Sequence, residues 1–151
     1  MSKIIYTQEN GIIAVVHPTP QSLVEMTIEE IAQKVVPVGI STYSIVEDSV
    51  IPTDRTFRDA WIQDNKTIKT DMAKAREIHK TKIREARTSK LAELDIEFQR
   101  AVETSADTSA IVAKKQALRD APADSGIDAA TDTDALKAQW KSDLLGTSPY
   151  T

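Results

Sequence analysis

MAKAREIHKTKIREARTSKLAELDIEFQRAVE, residues 72–103, contains neither proline nor glycine. Apolar or small side chains recur in it at Met72, Ala75, Ile78, Ile83, Ala86, Leu91, Leu94, Phe98 and Ala101, mostly in steps of three and four, with slips of five at 78–83 and 86–91. Such steps keep side chains on one side of a helix, so the spacing predicts an amphipathic helix of about 30 residues, about 45 Å long. Thr88-Ser89 near its middle is the place for a kink or break, because both hydroxyls can bond back to the backbone. On the C-terminal side, Asp107 or Thr108 is placed to cap a second helix over 109–120, and the short link at 104–108 predicts an antiparallel helical hairpin. Residues 121–133, APADSGIDAATDT, are small, acidic and poorly hydrophobic, which suits a loop or an extended wrap. A last short helix is expected over 134–145, carrying Leu136, Trp140, Leu144 and Leu145.

On the N-terminal side the periodicity changes. KIIYT at 3–7 and IIAVVH at 12–17 are rich in β-branched residues, and Asn10-Gly11 between them is a strong hairpin turn signal that invites positive φ at both residues. Pro18 and Pro20 end the second strand. Thr27-Ile28-Glu29-Glu30 reads as a capping box opening a short helix over 28–34. TYSIVE at 42–47 is a further strand, with Tyr43 and Ile45 on one face. In PTDRTFRDAWIQDN, 52–65, Phe57 and Trp61 are four apart and share a face if the segment is a short helix. Asp64-Asn65-Lys66 then reads as a turn before a short strand near 67–69. The expected architecture is α+β. A small β-β-α-β domain at 1–52 leads through a junction at 53–66 into a helical domain at 67–151, with Phe57 and Trp61 as the joint between them.

Composition narrows the chemistry. The chain has 151 residues, 40% of them hydrophobic and 5% aromatic, with 19 Lys+Arg against 23 Asp+Glu. A net charge of −4 disfavours nucleic acid and anionic membranes as general partners. Charge is uneven: residues 1–71 carry 6 basic and 10 acidic side chains, 72–100 carry 8 and 5, and 101–151 carry 5 and 8. The basic stretch Lys74, Arg76, Lys80, Lys82, Arg84, Arg87, Lys90 therefore has two readings: a solvated helix face, or a docking face for an acidic partner or for the chain's own acidic C-terminal segment. There is no cysteine, so disulfides, thiol nucleophiles and Cys-based metal sites are excluded. The longest apolar run, Ile12–Val16, is far short of the ~20 residues of a membrane helix, and the first residues lack the apolar core of a secretory signal. His17 and His79 have no ligand-spaced neighbours, and His79 falls beside the core face of the long helix. The alternating Glu93, Asp95 and Glu97 do not face one another. No glycine pattern for phosphate and no GxSxG occurs. Catalytic residues, cofactors and metals are expected to be absent.

Several stretches carry a family resemblance. DRTFRDAW at 54–61, IKTDMAKAREIHKTKIREAR at 68–87, KLAELDIEFQRAVE at 90–103 and KKQALRD at 114–120 resemble the tail assembly chaperone-like family of tailed phages and prophages. The shared pattern is RxFRxAW, then DMxKARxIH, IRxAR, LxxLD and KQxLRD, over about 54–121. The N-terminal unit is similar to a domain often joined to this helical part in phages, and the Trp140 region loosely to the family's ending. The resemblance implies a protein that assists tail or tail-fibre folding, with a tail-fibre or other tail protein as partner, in the host cytoplasm during assembly. It equally accommodates a permanent structural component or adaptor of the virion tail. No catalytic residue comes with it. The apolar stripe of the long helix supplies the expected partner-binding residues, Ile83, Leu91, Leu94 and Phe98. Packed only by a 12-residue helix, that stripe is too extensive for the chain to cover by itself and is expected to stay open to a tail protein or to a second copy of the chain.

Overall fold

Four consecutive apolar or amphipathic positions, Lys3 to Tyr6, are all buried in strand β1 (Ser2–Thr7), the middle strand of an antiparallel sheet of order β2-β1-β3. Its neighbours are β2 (Ile13–Val16) and β3 (Tyr43–Glu47), with Ile4 opposite Val16 on one side and Ile45 on the other. Successive side chains on a strand point to opposite faces, so a strand whose Ile4 and Ile5 are both fully buried must be covered on both. Ile4 packs with Ile31 and Ala32 of the helical side, beside Met26, Ile28, Val36, Tyr43 and Ile45. Ile5 packs with Ile13, Val46, Ile51 and Trp61, beside Val15, Val50 and Ile68. The computed structural model describes residues 1–151 and divides them into two compact units, Met1–Asp71 and Met72–Thr151. Residues 53–66, expected as a junction, thus lie inside the first unit.

The helical cover of the first unit is α1 (Pro20–Glu25) and α2 (Ile28–Val35). The capping box forms: the Thr27 hydroxyl accepts from the Glu30 amide at 3.3 Å and the Thr27 amide donates to the Glu30 carboxylate at 2.8 Å. That backbone hydrogen bond, then the one from the Thr27 hydroxyl, holds the Glu30 carboxyl below its ordinary range. Helix α1 is additional to the expected β-β-α-β order. Its signal is Thr19-Pro20, an N-cap that accepts from the Ser22 amide at 3.2 Å followed by proline at the first helical position. Read only as a strand terminator, Pro20 conceals the helix it starts.

Two local expectations change. The β1–β2 connection is a longer loop over 8–12 in which Gly11 alone takes positive φ, at 80°. Asn10 contributes its side chain instead, accepting from the Ile12 amide at 3.0 Å. The segment around Phe57 and Trp61 is not a helix. Arg58–Ala60 is a single 3-10 turn, and Trp61 opens β4 (Trp61–Asp64), which pairs with β5 (Thr67–Thr70). Asn65, at φ 54°, makes the turn between them. Alternation of buried Trp61 with exposed Ile62 outweighs the four-residue spacing of the two aromatics.

In the second unit α3 (Met72–Glu103) runs unbroken for 32 residues, about 48 Å. Thr88 Oγ1 does bond back to the Arg84 carbonyl, at 2.9 Å, without interrupting the helix. The chain reverses at Ser105 (φ 55°), and Asp107 accepts from both the amide and the hydroxyl of Ser109 to open α4 (Ser109–Asp120). Ala75, His79 and Ile83, buried at steps of four, overshoot each turn by about 40°. The buried line therefore winds around α3, and several short elements meet it in place of one parallel helix. These are α4, a 3-10 turn at Ala121–Ala123, α6 (Thr133–Lys137) and α7 (Ser142–Leu145), with α5 (Ser125–Ala129) between. The single terminal helix expected over 134–145 is thus two, parted at Trp140. Ala121, Ile127, Ala130, Leu136 and Leu145 supply the buried carbon of this wrap.

Candidate functional site

The four residues expected to bind a partner divide into two kinds. Ile83 is 1% exposed and Leu94 is 9% exposed, so both serve the interior of the second unit. Leu91 and Phe98 are half-buried. The Phe98 ring carries the Lys115 ammonium 5.2 Å from its centroid, and Lys115 is also paired with Asp95 at 2.5 Å. The stripe is therefore largely sheltered by the unit's own C-terminal half, against the expectation of an open face. The winding of the buried line explains the difference, because it lets 121–145 cover what α4 does not reach. About half-exposed apolar side chains remain at Ile96 and Val102 of α3 and Val112 of α4. Beside Leu94, a shallow groove of about 200 Å³ is lined by Leu94, Leu118 and Leu144, with Lys90, Glu93, Glu97, Lys114 and Asp143. Phe57 and Trp61, expected as an inter-domain joint, are each 2% exposed, and Trp61 is a core residue of the first unit.

The basic stretch of α3 is engaged by the chain's own C-terminal segment. Arg76 donates to the Ala130 carbonyl at 2.8 Å, Lys80 pairs with Asp128 at 3.1 Å, and Arg87 donates to the Leu118 and Arg119 carbonyls at 3.3 and 2.8 Å. The carbonyls at the end of α4 carry the negative end of its dipole, which suits a guanidinium. The intramolecular form of the docking reading thus accounts for three of these cations.

An aromatic cluster around His79 has no counterpart in the sequence reading. His79 is fully buried. The Tyr150 ring stacks on it (centroids 5.7 Å, planes 10° apart), and Trp140 stands edge-on to both rings at 6.1 Å. His79 Nδ1 lies 2.5 Å from the Tyr150 hydroxyl, whereas its Nε2 is buried without a hydrogen-bond partner. Trp140 Nε1 donates to the Gly146 carbonyl at 3.0 Å. Burial, then the nearby Lys82 charge, holds the imidazole below its ordinary value, and burial pushes the Tyr150 phenol up to about 12. Both groups are neutral at neutral pH. The signal, in hindsight, was the position of His79 four residues from Ala75 and from Ile83. Its partners, 61 and 71 residues further on, gave none.

No group of three or more His, Cys, Asp or Glu side chains is placed to hold a metal ion, and no helix is long and apolar enough to cross a membrane. Comparison with protein-family models, with curated proteins and with solved structures finds no match.

Proposed function

We propose that this protein is a tail-associated protein of a tailed phage, acting as a tail-fibre or tail assembly chaperone by non-covalent binding. The observation that carries the reading is the ordered run of motifs from Asp54 to Ala121, RTFRDAW through KQALRD. Many of the motif positions are structural: Trp61, His79, Ile83 and Leu118 are buried, and Arg76 and Arg87 clamp the C-terminal segment. The likeness therefore speaks first of a shared scaffold. The binding surface we assign to that scaffold is the groove along α3 at Leu94, together with half-buried Leu91 and Phe98 and exposed Val102. A groove with a leucine lining and mixed charges suits an apolar segment of an unassembled partner, released when that segment finds its place in the oligomer. Full burial of one Leu or Phe of the partner contributes about 1.5–3 kcal/mol, so a few such contacts give reversible capture.

Co-expression with the tail-fibre protein of the same phage tests this reading. Soluble, trimeric fibre is expected to fall when the protein is omitted, and Leu91→Ser with Phe98→Ser should weaken capture while leaving the circular dichroism spectrum unchanged. Equal fibre yield with and without it would end the chaperone reading. Mass spectrometry of purified virions separates a chaperone from a permanent adaptor, since only an adaptor stays in stoichiometric amount.

A further inference from the structure

The segment after α7 turns back at Gly146, where φ is 87°, and is tied to Trp140 and to His79. Its Gly146 carbonyl accepts from Trp140 Nε1, and its Tyr150 side chain is seated on His79. Short-range bonds brace it locally, from the Gly146 amide to the Ser142 carbonyl at 2.9 Å, from the Tyr150 amide to Ser148 Oγ at 3.3 Å and from Thr151 Oγ1 to the Ser148 carbonyl at 3.0 Å. The seat is made for an uncharged imidazole. A charged histidine carries a proton on both nitrogens. The Nε2 proton would then be a buried donor without an acceptor, and the charge would lie in an aromatic, fully buried setting.

The neighbouring charges would not rescue it. On its own helix His79 is accompanied by Arg76, Lys80 and Lys82, all cationic, and by Glu77, which lies 3.8 Å from Lys80. On the covering elements the carboxylates Asp124 and Asp128 are paired with Lys141 and Lys80, while Lys137 and Lys141 flank Trp140 on either side. Asp134 of α6 and Asp143 of α7 are exposed.

We propose that Tyr150 latches residues 146–151 onto α3 through neutral His79, and that protonation of His79 opens this latch. The sign follows from linkage. A histidine whose closed form resists protonation keeps its full contribution above the ordinary value of 6.5 and loses it as the pH falls below. The ratio of open to closed then rises by up to about tenfold per pH unit.

The test is NMR on the full chain between pH 8 and 5. The observables are the imidazole shifts of His79 and the exchange of the hydrogen-bonded Trp140 indole and Tyr150 amide, corrected for intrinsic rates. The expected result is a His79 titration below the ordinary value of 6.5, with the opening ratio at the Trp140 indole and the Tyr150 amide rising by up to about tenfold per unit in step with it while the α3 amides keep their protection. Tyr150→Phe should raise opening several-fold at pH 8, and His79→Gln should abolish the pH dependence. The proposal is overturned if protection of the Trp140 indole and the Tyr150 amide is independent of pH, or if Tyr150→Phe leaves opening unchanged. It is equally overturned if the His79→Gln protein, where it folds, opens over the same pH range.

Discussion

Replacing Ile83 by alanine distinguishes a core stripe from an interface stripe on α3. Ile83 is 1% exposed, so its outer side chain is out of water before any partner arrives. The change removes three carbons, a transfer loss of about 2.4 kcal/mol at roughly 0.8 kcal/mol per buried CH₂. The unfilled cavity brings the expected destabilisation into the range of about 2–5 kcal/mol. Val102→Ala, on the same helix but about half exposed, should stay within about 0.5 kcal/mol. Urea unfolding followed by circular dichroism gives the difference in midpoint. Hydrogen exchange of the Met72–Thr151 amides assigns it to the second unit. If Ile83→Ala and Val102→Ala unfold together, the stripe is not held by its own chain and the packing described above is wrong.

Three further outcomes follow from the first unit. Trp61→Ala should cost about 3–5 kcal/mol, because Trp61 closes the face of the sheet under Ile5, Ile13 and Val46; loss of near-ultraviolet signal and of protection in β1 measures it. Gly11→Ala should cost about 1–2 kcal/mol through its positive φ, seen as a lower melting temperature, and Asn10→Ala should cost less. Thr27→Ala should cost about 1 kcal/mol by removing the N-cap of α2, and Thr27→Ser should restore most of it.

Where side chains repeat at a regular interval the sequence was readable. The α+β order, the long helix, the hairpin to α4, the capping box and the register-making turn at Asn65 all rest on interactions within a few residues. The losses share a different cause. Trp61 belongs to a strand because Ile5 and Val46 receive it, and nothing between Pro52 and Asn65 states this. The stripe on α3 reads as open only while α4 is its sole cover, and the short elements of 121–145 supply the rest. Residues 121–133 look too polar to pack, yet Ala121, Ile127 and Ala130 are enough when the Ala130 carbonyl of the same segment accepts from Arg76. The His79 cluster unites residues from positions 79, 140 and 150, a pairing that spacing does not encode.

The central place of β1 has a consequence for how the protein is made. Strand β1 needs β3, some forty residues later, for its second edge, and the β4–β5 hairpin for its second face. Until β5 has emerged, Ile4 and Ile5 must wait in a nascent chain that can cover only one side of them. A pause in translation once β5 has cleared the ribosome would give this sheet time to close before the long helix has fully emerged.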